Sequence, residues 1–285
     1  MSFPLIYIQS PESKDYEKFF NEVLKRLPGD VSGIDVLVGD TIESTGELNE
    51  VLLHLYPQLR RISAEKGFTY RFDIDVLINV PVPSKGGKAF CPEDEKVDMT
   101  NVEYIPAPVP ARQSKDNYDW GLAYKEVETS AVGGTFDHIH DGHKILLLMT
   151  AFAAKRKIIV GVTGPKLLVK KKFAEFMEPL STRVLKVCKF LQKVASPGVS
   201  FHIYQINDIC GPTGFLRAID ALIISQETVK GGEFVNNYRK ERDYPAIEIV
   251  VVKVIGGDGS GDETNNWKGK LSSTDIREEE YKTLH

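Results

Sequence analysis

The sequence predicts an α/β protein: a doubly wound parallel sheet in the C-terminal part, preceded by a smaller α/β unit. Three observations carry that prediction. Short β-branched runs alternate with amphipathic segments of helical period in both parts of the chain. A stretch rich in Pro, Lys and Asp divides the two series. The second series opens on a strand that leaves through Gly133 and Gly134 into a helix start, the kind of junction at which parallel sheets meet their ligands. The implied boundaries are 1–82 for an N-terminal α/β domain, 83–123 for a Pro-rich linker and 124–285 for the larger α/β domain.

In the first series, 4–8 (PLIYI) reads as a strand and 13–27 as an amphipathic helix with Phe19, Phe20, Val23 and Leu24 on one face. IDVLVGD is a second strand. Residues 47–67 are helical around a break at Pro57, with Gly67 as the stop. YRFDIDVLINVP is the third strand. This half contains no GxGxxG and no GxxxxGK[ST], so nothing in it marks a phosphate site.

The second series reads as strand 124–136, helix 142–154, strand 157–164, helix 176–194 and strand 200–208. It continues with a helical stretch near 214–219, strand 221–225, helix 231–242 and strand 246–257. A polar Gly/Asp/Asn loop over 256–269 then leads to a last helix opening at Ser272. Strands and helices alternating at this spacing specify a parallel sheet covered on both faces.

Composition removes several functions. A net charge of −4 over 285 residues gives no overall reason to bind nucleic acid. Cys91, Cys188 and Cys210 are an odd number without a CxxC pair, which suits a reducing compartment and argues against a disulfide framework or a zinc ribbon. No apolar run approaches the roughly 20 residues of a membrane span. The start MSFPLIYIQSPES lacks the cationic head of a signal peptide. The expectation is a cytoplasmic protein with neither membrane nor nucleic-acid partners.

The densest chemistry lies in GGTFDHIHDGHK, residues 133–144, which holds three of the six histidines. Gly133 and Gly134 at the strand end let backbone approach a ligand closely. Gly142 at the helix start leaves room for a phosphate against first-turn N–H groups that carry partial positive charge. His140 and His143 are three apart, hence neighbours on one helical face, and their imidazoles can donate to an anion whose charge grows in a transition state. No strong nucleophile accompanies them: there is no GxSxG and no nearby cysteine. That favours direct transfer between substrates. A zinc site on the same two histidines is the rival, but no cysteine or second histidine group supplies the other ligands, so no protein-held metal is predicted. His138 reads as structural or as a support behind the ligand-contacting residues.

A second signal is KLSSTDIR, 270–277. Ser272 or Ser273 is a good N-cap, and a helix start with three hydroxyls and Arg277 close by suits polyphosphate.

With these two stretches in place, GTFDHIHDGH resembles the T/HxGH signature of the nucleotidyltransferase superfamily, and LSSTDIR resembles its ISSTxIR motif. The segments between them, including Ser225, Glu227, Thr228, Asn236 and Arg239, are similar to the phosphopantetheine adenylyltransferases of archaea and eukaryotes, of the monofunctional fungal type. The resemblance implies a Rossmann-like domain that transfers an adenylyl group from ATP to 4′-phosphopantetheine, giving dephospho-CoA and pyrophosphate. ATP would lie against Gly133, Gly134, Thr135, Phe136, His140, Gly142 and His143, with Ser272, Ser273, Thr274 and Arg277 on its β- and γ-phosphates. Thr135 would also touch the acceptor. Lys171, preferred to Lys166 and Lys170, would neutralise the acceptor's phosphate, the competing reading being a solvated helix face. Glu227 and Thr228 would line the acceptor cleft or pack the strand end. Mg²⁺ is expected to arrive with ATP, and association with other coenzyme A enzymes is a further partner reading. The alternatives are a cytidylyltransferase of the same superfamily, or a non-catalytic scaffold that kept the fold.

Overall fold

The computed structural model describes residues 3–82, 87–112, 126–169, 171–255 and 272–284. The chain divides into two units, Met1–Ala123 and Tyr124–His285.

The first unit comprises β1 (Leu5–Ile8), α1 (Glu17–Arg26), β2 (Gly33–Val38), α2 (Thr45–Glu65), β3 (Asp73–Leu77), β4 (Ala89–Pro92) and β5 (Val102–Ile105). Its sheet runs β3-β2-β1-β4-β5, with every pair parallel. As its period predicts, α1 buries Phe19, Phe20, Val23 and Leu24. Two expectations change. First, α2 passes through Pro57 without a break. An internal proline costs about 3 kcal/mol, but the helix buries Leu48, Val51, Leu52, Leu55, Tyr56, Leu59 and Ile62 along one continuous face. It is also closed at both ends. Ser44 and Glu47 form a capping box. At the other end Gly67 takes φ +84°, with the Phe68 and Gly67 N–H groups donating to Ser63 and Ala64.

Second, the stretch 83–123 is not simply a linker: β4 and β5 lie within it and extend the first sheet, pairing Leu5 with Ala89 and Cys91 with Tyr104. Four-residue strands among prolines are too short to show a period. What makes them strands is burial, and Phe90 and Cys91 are wholly inaccessible.

The second unit comprises β6 (Val127–Gly134), α3 (Asp141–Ala153), β7 (Ala154–Thr163), α4 (Leu180–Val194), β8 (Ser200–Ile206), β9 (Ala221–Ser225), α5 (Val229–Lys240), β10 (Glu248–Val252) and α6 (Ser273–Leu284). Its sheet is also all parallel, in the order β10-β9-β6-β7-β8. The helical stretch expected near 214–219 is instead a 3₁₀ turn over Gly211–Gly214. The 256–269 loop lies outside the described residues. On one side of the sheet Ile145, Leu147, Leu148, Val187 and Leu191 are buried. Elsewhere Ala131, Ile159, Leu222, Ile224, Val235 and Ile247 form a second cluster. Strand order reverses between β6 and β9, so a crevice opens at their carboxyl ends, the default ligand position in such sheets. The motif of 133–144 begins there.

Candidate active site

Gly133 and Gly134 end β6 at the reversal. A side chain on Gly133 would meet nothing closer than Ile206 at 4.0 Å, so the sheet floor there is open. A side chain on Gly134 would come within 3.0 Å of the Phe136 ring. The loop to α3 contains two non-glycine residues in the left-handed region, Phe136 (φ 50°) and His138 (φ 43°), a conformation that persists only where surroundings impose it. Arg183 is one such brace. Its guanidinium donates to the carbonyls of Thr135 (2.7 Å), Thr163 (2.9 Å) and Glu178 (3.1 Å). Thr135 therefore stands half-buried at the crevice with its carbonyl pinned. Phe136 does not present its side chain to a ligand: it is wholly buried and packs 5.3 Å from the His143 ring. His138 is tied into the fold, with its backbone N–H on the Glu178 carboxylate (2.9 Å) and Nε2 hydrogen-bonded to the Phe176 carbonyl (2.8 Å).

His140 and His143 meet, though not as neighbours on a helical face. His140 is the N-cap of α3 (φ −131°, ψ 176°) and folds back over the first turn. Its ring stacks on that of His143, centroids 3.9 Å apart. Gly142 lies under the stack: a Cβ there would make a tight contact of 3.2 Å with the His140 ring, so the space expected for a phosphate is bounded by imidazole. Burial, followed by the charges of His140 and Lys171, holds His143 well below the usual imidazole range. Its buried Nδ1 has no hydrogen-bond partner among the described residues. The site thus offers a neutral imidazole beside the N-terminal turn of a 13-residue helix, whose amides carry partial positive charge.

The described residues of 165–178 form no continuous helix. They fold as two 3₁₀ turns, Pro165–Leu167 and Ala174–Phe176, with Phe173 left-handed at φ 53°. Lys171 is exposed, and its charge is one of those that disfavour protonation of His143. Lys166 is exposed in the first turn, and Lys170 lies outside the described residues.

The second motif caps α6 with a reciprocal pair. Ser272 Oγ accepts from the Asp275 N–H (3.2 Å), and the Asp275 carboxylate accepts from the Ser272 N–H (3.0 Å). Ser273 donates to the Asp137 carbonyl at 2.8 Å, which brings the two motifs into contact. Arg277 departs from expectation. It is 1% exposed and ion-paired to wholly buried Asp137, with further bonds to the Lys172 carbonyl and Thr274 Oγ1. Its guanidinium is directed inward, with Thr274 Oγ1 accepting from one of its N–H groups.

Glu227 and Thr228 follow β9 in an exposed 3₁₀ turn across the reversal from Gly134. The Thr228 hydroxyl donates to the Ser225 carbonyl (3.0 Å), and Glu227 projects from the surface. Asn236 and Arg239 lie further along α5 and act as braces. Asn236 pairs reciprocally with the Ile247 backbone at 2.8 Å. Arg239, fully buried, donates to the carbonyls of Thr213, Leu216, Arg217 and Pro245. Sequence reasoning missed Asp137, Glu178 and Arg183. Only Asp137 left a signal, as an acid inside the first motif.

Residues 131–279 match the cytidylyltransferase-like family, so the chain belongs to it. Within that class it is a homologue of the phosphopantetheine adenylyltransferases. It is 45% identical over 148 residues to the phosphopantetheine adenylyltransferase of Saccharomyces cerevisiae, covering 52% of this chain and 47% of that protein. The enzyme of that name from Thermococcus gammatolerans is 36% identical over 124 residues, 44% of this chain and 76% of its own. An uncharacterized protein of Schizosaccharomyces pombe is 35% identical over 207 residues, 72% of this chain and 61% of its own. The chain thus spans about half the length of the budding-yeast relative and less than two thirds of the fission-yeast one.

Proposed function

We propose that this chain transfers the adenylyl group of ATP to 4′-phosphopantetheine, forming dephospho-CoA and releasing pyrophosphate. The observation that carries the reading is the stacked His140–His143 pair at the α3 N-terminus, with the start of α6 tied to the same loop through Ser273 and Asp137, in a chain homologous to enzymes of that name. An oxygen of the acceptor's phosphate attacks the α-phosphorus in line, the bond to the bridging oxygen breaks, and pyrophosphate leaves. Catalysis is positioning and charge stabilisation. His143 donates a neutral N–H to the phosphate oxygens, the α3 amides add partial positive charge, and Lys171 screens the acceptor phosphate. Ser272 and Ser273 face the outer phosphates from the α6 start.

Mg²⁺ usually binds through substrate phosphates, so it enters as part of the nucleotide substrate. No described helix is long and apolar enough to cross a membrane. A cytoplasmic setting accords with the free Cys91, Cys188 and Cys210. A product destined for a further phosphoryl transfer makes other coenzyme A enzymes the partner class to look for.

The cytidylyl alternative has the family's general name behind it, and the triphosphate groups are blind to the base. A site built to pair one base leaves about 1–3 kcal/mol of unmet hydrogen bonding per group with another. Pyrophosphate release should therefore be measured with ATP or CTP against phosphopantetheine, phosphocholine and glycerol 3-phosphate. Preferential use of CTP with either of the last two acceptors overturns the reading, and no turnover with any pair returns the scaffold.

A further inference from the structure

One buried carboxylate touches every segment that brings a functional group to this site. Asp137 is wholly inaccessible. One of its oxygens accepts from the Glu178 N–H at 2.9 Å, the other is paired with Arg277, and its backbone carbonyl accepts from Ser273 at 2.8 Å. Arg277 carries the tie onward through Nε to the carbonyl of Lys172, at 3.0 Å, next to Lys171. Glu178 returns it, its carboxylate accepting from the His138 N–H at 2.9 Å. The loop leading to the histidines, the lysine segment and the start of α6 are therefore joined at one point. Replacing a buried ion pair by apolar side chains is often neutral or better for stability, so stability alone is a weak reason for this one. Holding three segments in register around one phosphorus is a stronger reason.

We propose that Asp137 and Arg277 are positioning residues. They form a clasp that sets the histidine pair, Lys171 and Ser272–Ser273 at their working separations, and Arg277 acts through Asp137 and Lys172 rather than by touching the triphosphate. The kinetic arm of the test rests on the adenylyl-transfer reading, and the exchange arm does not.

The test uses the full chain with Asp137→Asn, Arg277→Gln and the double substitution. Were Arg277 a phosphate contact, Asp137→Asn would release it and leave the KM for ATP unchanged or lower, whereas Arg277→Gln alone would raise it. The clasp instead predicts that each single variant loses kcat/KM toward both substrates, on the order of 10- to 100-fold as expected for misplacement by about 1 Å. It also predicts a double variant no worse than the worse single, because either change already opens the same tie. Arg277→Lys, which keeps the charge facing Asp137, should recover part of the loss. A buried charge left alone can unfold the chain, so amide hydrogen exchange on the folded fraction supplies the second readout. Each single variant should exchange faster at both 171–178 and 272–284, and the double no faster than the singles. Exchange that quickens only around the substituted residue, or an ATP KM raised by Arg277→Gln but not by Asp137→Asn, overturns the clasp. If the unsubstituted chain turns over no adenylyl transfer, the functional reading fails and the exchange data alone decide the clasp.

Discussion

The imidazole of His140 lies on that of His143, centroids 3.9 Å apart and planes 28° from parallel, over Gly142, where a Cβ would crowd it at 3.2 Å. Two cations at that spacing would repel strongly, and burial already disfavours charge on His143. The stacked pair therefore contains at least one neutral ring, and His143 lies against its neighbour as a wall.

Gly142→Ala should displace the His140 ring, since the new Cβ would sit 3.2 Å from its Cε1. We expect kcat to fall on the order of tenfold, the loss of one modest hydrogen bond. Alanine is favoured over glycine within a helix by up to about 1 kcal/mol, so the melting temperature should hold or rise. Unchanged kcat would show that the stacked geometry is dispensable.

His143→Ala should lower kcat by on the order of 10²- to 10³-fold, the usual loss for one transition-state donor. Thermal melting should change little. A variant that melts like the parent and turns over at nearly its rate would remove His143 from the mechanism.

Acid should destabilise the ligand-free protein through His143. Its folded pKa is depressed, so below about pH 6.5 the unfolded chain takes up a proton there that the folded chain refuses. Stability from this group is complete above that pH. It declines on acidification, by up to about 1.4 kcal/mol per pH unit, until the folded pKa is reached. Urea midpoints from pH 8 to pH 5 should fall less steeply for His143→Asn than for the parent; parallel slopes would place the burial effect elsewhere.

Lys171→Ala should raise the KM for phosphopantetheine on the order of tenfold, as for loss of one charge-assisted phosphate bond, and leave the KM for ATP nearer normal. Lys166→Ala, in the exposed turn before it, serves as the comparison. If Lys166→Ala is the damaging change, the acceptor phosphate sits nearer Pro165–Leu167 than proposed.

A fragment starting at Tyr124 contains every residue placed at the site. The Thermococcus gammatolerans enzyme aligns with only 44% of this chain, yet over 76% of itself. Such a fragment should turn over when soluble and folded. A folded but inactive fragment would mean that the first unit completes the site.

Several of these features were open to sequence reasoning because their causes are local. The alternation of strands and helices, the amphipathic face of α1, the glycine exit of β6 and the cap at Ser272 each depend on windows of about a dozen residues, where period and turn chemistry act directly. The expected break at Pro57 failed because burial along all of α2 outweighs one lost hydrogen bond. Strands β4 and β5 were hidden because they are held by neighbours in a sheet, not by their own pattern.

By itself, then, the sequence determined the α/β class and the positions of the histidine-bearing loop and of the capped helix start at Ser272. The tertiary structure alone decided that Phe136 belongs to the core, that His140 stacks from a cap position, and that Arg277 turns inward to Asp137, 140 residues away. The physical reason is range. A residue's period and capping act on its chain neighbours, whereas burial and ion pairing depend on which segments the order β10-β9-β6-β7-β8 brings together.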